Sequence, residues 1–246
     1  MTIAIAIVIG VHCADALRFL SMVIAIVIFD RDDRDDASGG EPRELDMGIS
    51  REKAAENREA IVAAAERLFR ERGVDAVGLT ALMKEAGFTQ GGFYNHFKSK
   101  DALVAAVMAR AVAGANGVLP GGDAALQAAM PPEARVERYL SAAHRDDVAC
   151  GCPMAGFAGD APRIGPDAQA CYAQGLADVI GKLTAAGVAQ GLREHDAAQA
   201  AMARFSQMVG TLVLSRAVAA SDPALSEALL AAGRQALTGA SQGEAG

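Results

Sequence analysis

Between Thr80 and Lys100 the chain reads TALMKEAGFTQGGFYNHFKSK, two short helical patterns joined by Ala86-Gly87-Phe88. The second pattern opens with small and polar residues and continues into an aromatic pair and two lysines. A helix-turn-helix that offers its second helix to the DNA major groove has this layout. The stretch therefore names a partner, a double-stranded DNA operator, and a working surface; nothing else in the chain names either.

The remainder is consistent with an all-α protein. Hydrophobic residues make up 52% of the 246, ample for a core, yet aromatics are only 4% and Trp is absent. Outside the extreme N-terminus no stretch alternates apolar and polar residues over the length of a strand. The net charge of -7 is unevenly spread. Residues 1–46 and 111–246 are acidic, whereas residues 47–110 hold 10 basic and 8 acidic side chains. A mildly basic surface on an acidic body suits a phosphate-bearing partner, although an excess of two does not by itself argue for DNA.

Residues 1–46 stand apart. Two apolar runs, Met1–Val11 and Phe19–Phe29, flank His12, Asp15 and Arg18. In a bilayer Asp15 and Arg18 would lie near mid-membrane at about 2.5–3.5 kcal/mol each, and no basic segment precedes the run as a secretory signal requires. A charged tract with Ser38-Gly39-Gly40 follows, and Met47 stands directly before the first well-formed helix pattern. The expectation is that residues 1–46 derive from an upstream start codon and lie outside the functional protein; a membrane anchor at residues 1–29, or a native extension, are the alternatives.

The DNA-binding block is expected over residues 47–110. A first helix from about Ser50 to Arg72 puts Ile61, Ala64, Ala65, Leu68 and Phe69 on one face. Gly73 ends it in a left-handed conformation, and Gly87 permits the sharp turn. Thr80 and Thr89 are expected to cap the second and third helices, and Ser99 a fourth. In the third, Phe93 and Phe97 are core, which turns the Gln90/Tyr94 and Gly91/Asn95 stripes outward. The Gly91-Gly92 pair costs a helix about 1 kcal/mol per glycine relative to Ala, and it lets backbone approach DNA closely. Gln90 can read adenine, Tyr94 and His96 can bond phosphate, and Lys98 and Lys100 supply charge.

The order Gly73, Thr80, Ala86-Gly87, Phe93-Tyr94, Phe97, Lys100 and Leu103 resembles the N-terminal domain of tetracycline-repressor (TetR) family regulators. The resemblance covers about 60 residues and implies a homodimeric, all-helical, ligand-responsive repressor. Carried over position by position, it implies phosphate contacts from Thr80, Tyr94 and Lys100, and places Thr89, Gln90, Gly91 and Asn95 toward bases. The double glycine departs from the pattern.

A helical effector-binding and dimerisation domain is expected over residues 111–240. Residues 117–132 are loop-like, and helix patterns recur at about 133–147, 167–190, 196–220 and 223–237. Phe205, Met208, Val209, Leu212 and Val213 form one apolar face, and Leu225, Leu229, Ala232 and Ala236 another. Both faces can serve the core; the resemblance favours pairing of the last two helices with their copies, with DNA half-sites about one turn apart. Met154, Phe157, Tyr172 and Leu176 outline an effector pocket for a small apolar or aromatic ligand.

Four cysteines make no disulfide framework, and a cytoplasmic location is expected. Cys150-Gly151-Cys152-Pro153 is too tight for a C-x₂-C zinc pattern, and only Cys171 and His144 are available to complete a site, so no metal is expected. Small thiols in a turn before a helix are the plain reading; a thiol sensor at Cys150 and Cys152, favoured by a helix start that lowers the thiol pKa, is the functional one. With no P-loop, dinucleotide fingerprint or H-E-x-x-H, and no orienting partner for a Cys152–His144 pair, neither enzyme activity nor a cofactor is expected.

Overall fold

The computed structural model describes residues 51–114 and 130–239, and among these every regular element is a helix. The segment 1–46, and most of the loop expected at 117–132, lie outside the described residues.

Helix α1 (Arg51–Arg72) forms around its apolar spacing: Ile61, Ala65, Leu68 and Phe69 are all buried. It stops at Gly73, whose φ of 82° is the left-handed conformation expected there, with Gly73 N donating to Phe69 O at 2.8 Å. Helix α2 (Leu79–Glu85) is followed by Gly87 at φ 84°. Gly78, not Thr80, is its N-cap, and it has no side chain to offer. Thr80 lies one residue inside, its hydroxyl turned toward Gln90 instead.

The third element is a 3-10 helix (Gln90–Asn95) where an α-helix was expected. Gly92 N bonds Thr89 O and His96 N bonds Phe93 O, each three residues back. Six residues with two glycines are too short and too costly to settle into α geometry. Thr89 occupies its N-cap position but makes no capping bond. Ser99 does cap the next helix, α3 (Lys100–Gly114), its Oγ accepting from Ala102 N at 3.1 Å. Leu103, Val104, Val107 and Met108 are buried along α3.

The pattern at 133–147 splits into α4 (Pro132–Tyr139) and α5 (Ala142–Asp146). Ser141 breaks it, bonding back to Arg138 O and accepting from His144 N as the cap of α5. A single turn, α6 (Pro153–Gly156), leads to three long helices: α7 (Pro166–Ala189), α8 (Glu194–Val218) and α9 (Pro223–Gly239).

In α9 the inward face is one residue on from the expected one. Ser226, Leu230, Gly233 and Leu237 are buried, while Leu225 is 46% exposed and Ala232 and Ala236 face outward. A buried serine pair sets that register. Ser215 Oγ of α8 donates to Ser226 O at 3.0 Å, and Ser226 Oγ returns a bond to Ser215 O at 2.9 Å. Rotating α9 to bury Leu225 would leave those groups without partners.

Two apolar cores result. The first joins α1, α2, the 3-10 helix and α3 to Phe157, Ile164 and Ala168; the second lies among α4 and α6–α9. Tyr172 packs against both. Helices α3 and α7 cross closely enough that a Cβ on Gly175 would meet both methyls of Val112 at 2.6 Å. That crossing fixes the first core on the rest of the fold.

Candidate nucleic-acid interface

The outward surface is built on two buried rings. Phe93 and Phe97 are 0% and 4% exposed and stack with centroids 5.7 Å apart, as core residues of the third element should. With these fixed, Gln90, Gly91, Tyr94, Asn95 and Lys98 face outward, and Tyr94 is 68% exposed. Among the described residues nothing lies within 4 Å of a Cβ built on Gly91, and Gly92 meets only ordinary contacts. No packing among the described residues requires this double glycine.

Thr80 Oγ1 donates to Gln90 Oε1 at 2.7 Å. The bond spends the Thr80 proton, leaving its hydroxyl as an acceptor, and it holds the Gln90 amide with both N–H groups and one lone pair available. Lys100 is turned inward. Its Nζ donates to Val74 O at 2.7 Å and lies 5.9 Å from the Phe69 ring centroid, so one of three N–H donors is engaged in tying α3 to the loop after α1. His96 is half-buried, with its ring 6.3 Å from Phe88. Arg58, which the sequence reading passed over, places its guanidinium 4.5 Å over Phe97 and adds charge beside this face.

The second set of residues divides. Met154 and Phe157 are buried and Tyr172 donates its hydroxyl to Met154 O at 2.8 Å, so these three come together. Leu176 does not join them; at 38% exposed it points out of the helix face that carries Gly175 and Val179 inward. Cys152 is buried and caps a helix of one turn, too short for the dipole effect expected of a helix start. Cys150 is half-buried in the preceding turn and is disulfide-bonded, so it is not the free sensor thiol expected there; among the described residues Cys152 and Cys171 are the free cysteines.

Around Cys152 lies a polar junction that no local motif announces. Arg70, from the inner side of α1, pairs with Glu66 at 2.5 Å, donates to Gly151 O and lies 5.5 Å from the Phe157 ring centroid. Glu66 also holds Arg110 of α3 at 2.7 Å. Arg216 of α8 donates to His144 O at 2.7 Å and Arg145 O at 3.0 Å. Burial lowers the pKa of both Arg70 and Arg216, opposed at Arg70 by Glu66.

His144 Nε2 accepts from Cys152 N at 3.0 Å, so Nδ1 carries the proton and donates to Tyr139 O at 2.6 Å. Burial is the chief reason that its pKa falls to about 4, and Arg216 adds to the fall. Both ring nitrogens are thus held by backbone, and His144 has none left to act as a base toward the thiol. Among the described residues no group of three or more His, Cys, Asp or Glu could hold a metal ion, and no helix is long and apolar enough to cross a membrane.

Residues 61–107, which span the second half of α1, α2, the 3-10 helix and the first half of α3, match the family model of bacterial regulatory proteins, tetR family. These residues form a TetR-family domain. Over 65 residues the chain is 44% identical to the HTH-type transcriptional repressor BepR of Brucella suis, covering 26% of this chain and 31% of that protein. Over 59 residues it is 42% identical to the HTH-type transcriptional regulator TtgR of Pseudomonas putida, 24% of this chain and 28% of that one. The match spans less than a third of the length of these curated relatives, which are named as regulators and not as enzymes.

The likeness of fold extends further. A TetR transcriptional regulator from Chloroflexus aurantiacus superposes with a TM-score of 0.60 at 24% identity, over 78% of this chain and 97% of that one. The reduced form of NemR from E. coli does so with a TM-score of 0.51 at 20% identity, over 75% and 97%. The helices beyond the matched domain therefore also have the TetR-regulator fold.

Proposed function

We propose that the protein is a cytoplasmic, sequence-specific DNA-binding transcriptional regulator, a repressor that binds its operator as a homodimer and is released by a small apolar ligand. One observation carries the reading: a TetR-family helix-turn-helix leaves Gln90, Gly91, Tyr94 and Asn95 facing out on buried Phe93 and Phe97. Gln90, Asn95 and Thr89 read base edges, and Gly91 and Gly92 let the backbone approach the groove. Tyr94, His96, Lys98 and, once its Val74 bond is released, Lys100 engage phosphates; Thr80 acts mainly by orienting Gln90.

Dimerisation uses α8 and α9. Met202, Leu214 and Leu225 are 48%, 57% and 46% exposed on adjacent helices, beside half-buried Val209, Val213 and Leu229. An apolar face of this kind suits a second copy across a two-fold axis. The effector site is placed at Met154, Phe157 and Tyr172, where the two cores meet. A ligand there that separates them would move the two DNA-binding surfaces out of register with successive major grooves.

Protection mapping of the DNA upstream of its own gene with the full chain tests the reading. Two protected half-sites about one helical turn apart, lost as salt rises, are expected. Absence of salt-sensitive affinity for any duplex overturns it. A second reading, a regulator that responds through a thiol, is favoured by the position of Cys152 beside Arg70.

A further inference from the structure

Two buried donors beside Cys152 lack a strong acceptor. Among the described residues the Tyr139 hydroxyl has no oxygen or nitrogen to donate to, only the weakly accepting Cys152 sulfur, although Tyr139 is 0% exposed, and Nε of Arg70 has no partner. Burial first, and then the Cys152 side chain next to it, hold the Tyr139 pKa well above that of an ordinary phenol, so it stays an O–H donor. Leaving such groups unpaired in a core costs about 1–3 kcal/mol each. An added oxygen on the Cys152 sulfur would supply the missing acceptor.

We propose that Cys152 is an oxidation site that takes one oxygen from hydrogen peroxide and signals the change through Arg70 to the DNA-binding helices. The sulfur attacks one peroxide oxygen and the O–O bond breaks. Sulfur is oxidised by two electrons to sulfenic acid; the second oxygen leaves with its own hydrogen and the thiol proton as water. Tyr139 O–H and the Arg70 and Arg216 guanidiniums lie close enough to Cys152 to interact with it electrostatically, and such donors stabilise the negative charge that develops on the departing oxygen. At 5% exposure the thiol excludes bulky reagents, which narrows the oxidant to something of peroxide size.

The turn that carries Cys152 is closely held. A Cβ on neighbouring Gly151 would meet Arg216 Nη2 at 2.6 Å and Asp147 O at 2.7 Å, so this turn has no room to shift without moving Arg216. The bond from Arg70 to Gly151 O joins this turn directly to α1. That last step rests on the proposed function; the oxidation itself does not.

The full chain is treated with a few equivalents of hydrogen peroxide, and sulfenic acid is trapped with dimedone and located by mass spectrometry. Half-buried Cys171 is the internal control. Cys152 is expected to label faster than Cys171 despite its burial, and Tyr139→Phe, which removes an orphaned hydroxyl and should fold, to slow Cys152 about tenfold. Faster labelling at Cys171, or an unchanged rate in Tyr139→Phe, overturns the site. A bulky maleimide should modify Cys171 and spare Cys152; equal modification of both also counts against it. On duplex DNA, peroxide should weaken the wild type about tenfold or more and leave Cys152→Ser unaffected, while equal weakening of both removes the link to α1. Loss of all duplex affinity before peroxide is added would strike the proposed function and leave the labelling result in force.

Discussion

The face around Gln90 and the junction around Cys152 handle polar groups in opposite ways. The first is made of consecutive residues, holds its side chains in water and supports them on two buried rings. The second gathers Arg70, Tyr139, His144, Gly151 and Arg216 from three separate stretches of the chain and takes them largely out of water. Donors kept in solvent cost the fold little and are free for a partner, so changes there should alter binding and spare stability. Buried charges held by carbonyls and one carboxylate should do the reverse.

Arg70→Ala is the strongest challenge to that contrast. It leaves the Gly151 carbonyl without its donor and Glu66 with Arg110 alone, so denaturant unfolding should show a loss of about 3–5 kcal/mol. A loss below about 1 kcal/mol would mean that the junction contributes no more than a surface pair.

Acid comes next. His144 has a folded pKa of about 4 against an ordinary 6.5, so between those values the unfolded chain binds the proton that the folded one refuses. Its contribution is fully present above pH 6.5 and is lost as the pH falls toward 4, up to about 3 kcal/mol. His144→Asn should flatten that window in thermal melts; an unchanged acid limb would refute the assignment.

Gln90→Ala should cost about 1–3 kcal/mol of discrimination at one base position while moving stability by less than about 0.5 kcal/mol. Equal loss on cognate and random DNA would end its reading role. The smallest effects separate two lysines. Lys98→Ala should lower the salt slope of binding by about 1 and leave the melt unchanged, whereas Lys100→Ala should lower the slope and also destabilise the fold by about 1 kcal/mol through loss of the Val74 bond.

The same contrast accounts for what could be read in advance. The stop at Gly73, the turn at Gly87, the Ser99 cap and the burial of Phe93 and Phe97 all depend on neighbours within four residues, and periodicity exposes such dependence. The third element came out tighter than expected because two glycines weaken α geometry more than the pattern around them supports it. The register of α9 was missed for a different reason. Leucines at 225 and 229 read as the inner face, but two serines eleven residues apart settle it through bonds across helices. The Cys152 junction had only one local sign, an arginine directly after buried Phe69 on the inner side of α1.

That serine clasp also bears on how such a molecule can diverge. Because Ser215 and Ser226 lock α9 to α8 from within, the residues on the outer side carry no duty toward the protomer's own interior. On the proposed dimer face, substitution at Leu214, Leu225 or Ala236 would therefore redirect which chains assemble together while each chain still closes on itself as before. Paralogues sharing one cell could become insulated from one another by changing a few side chains on that outer side alone.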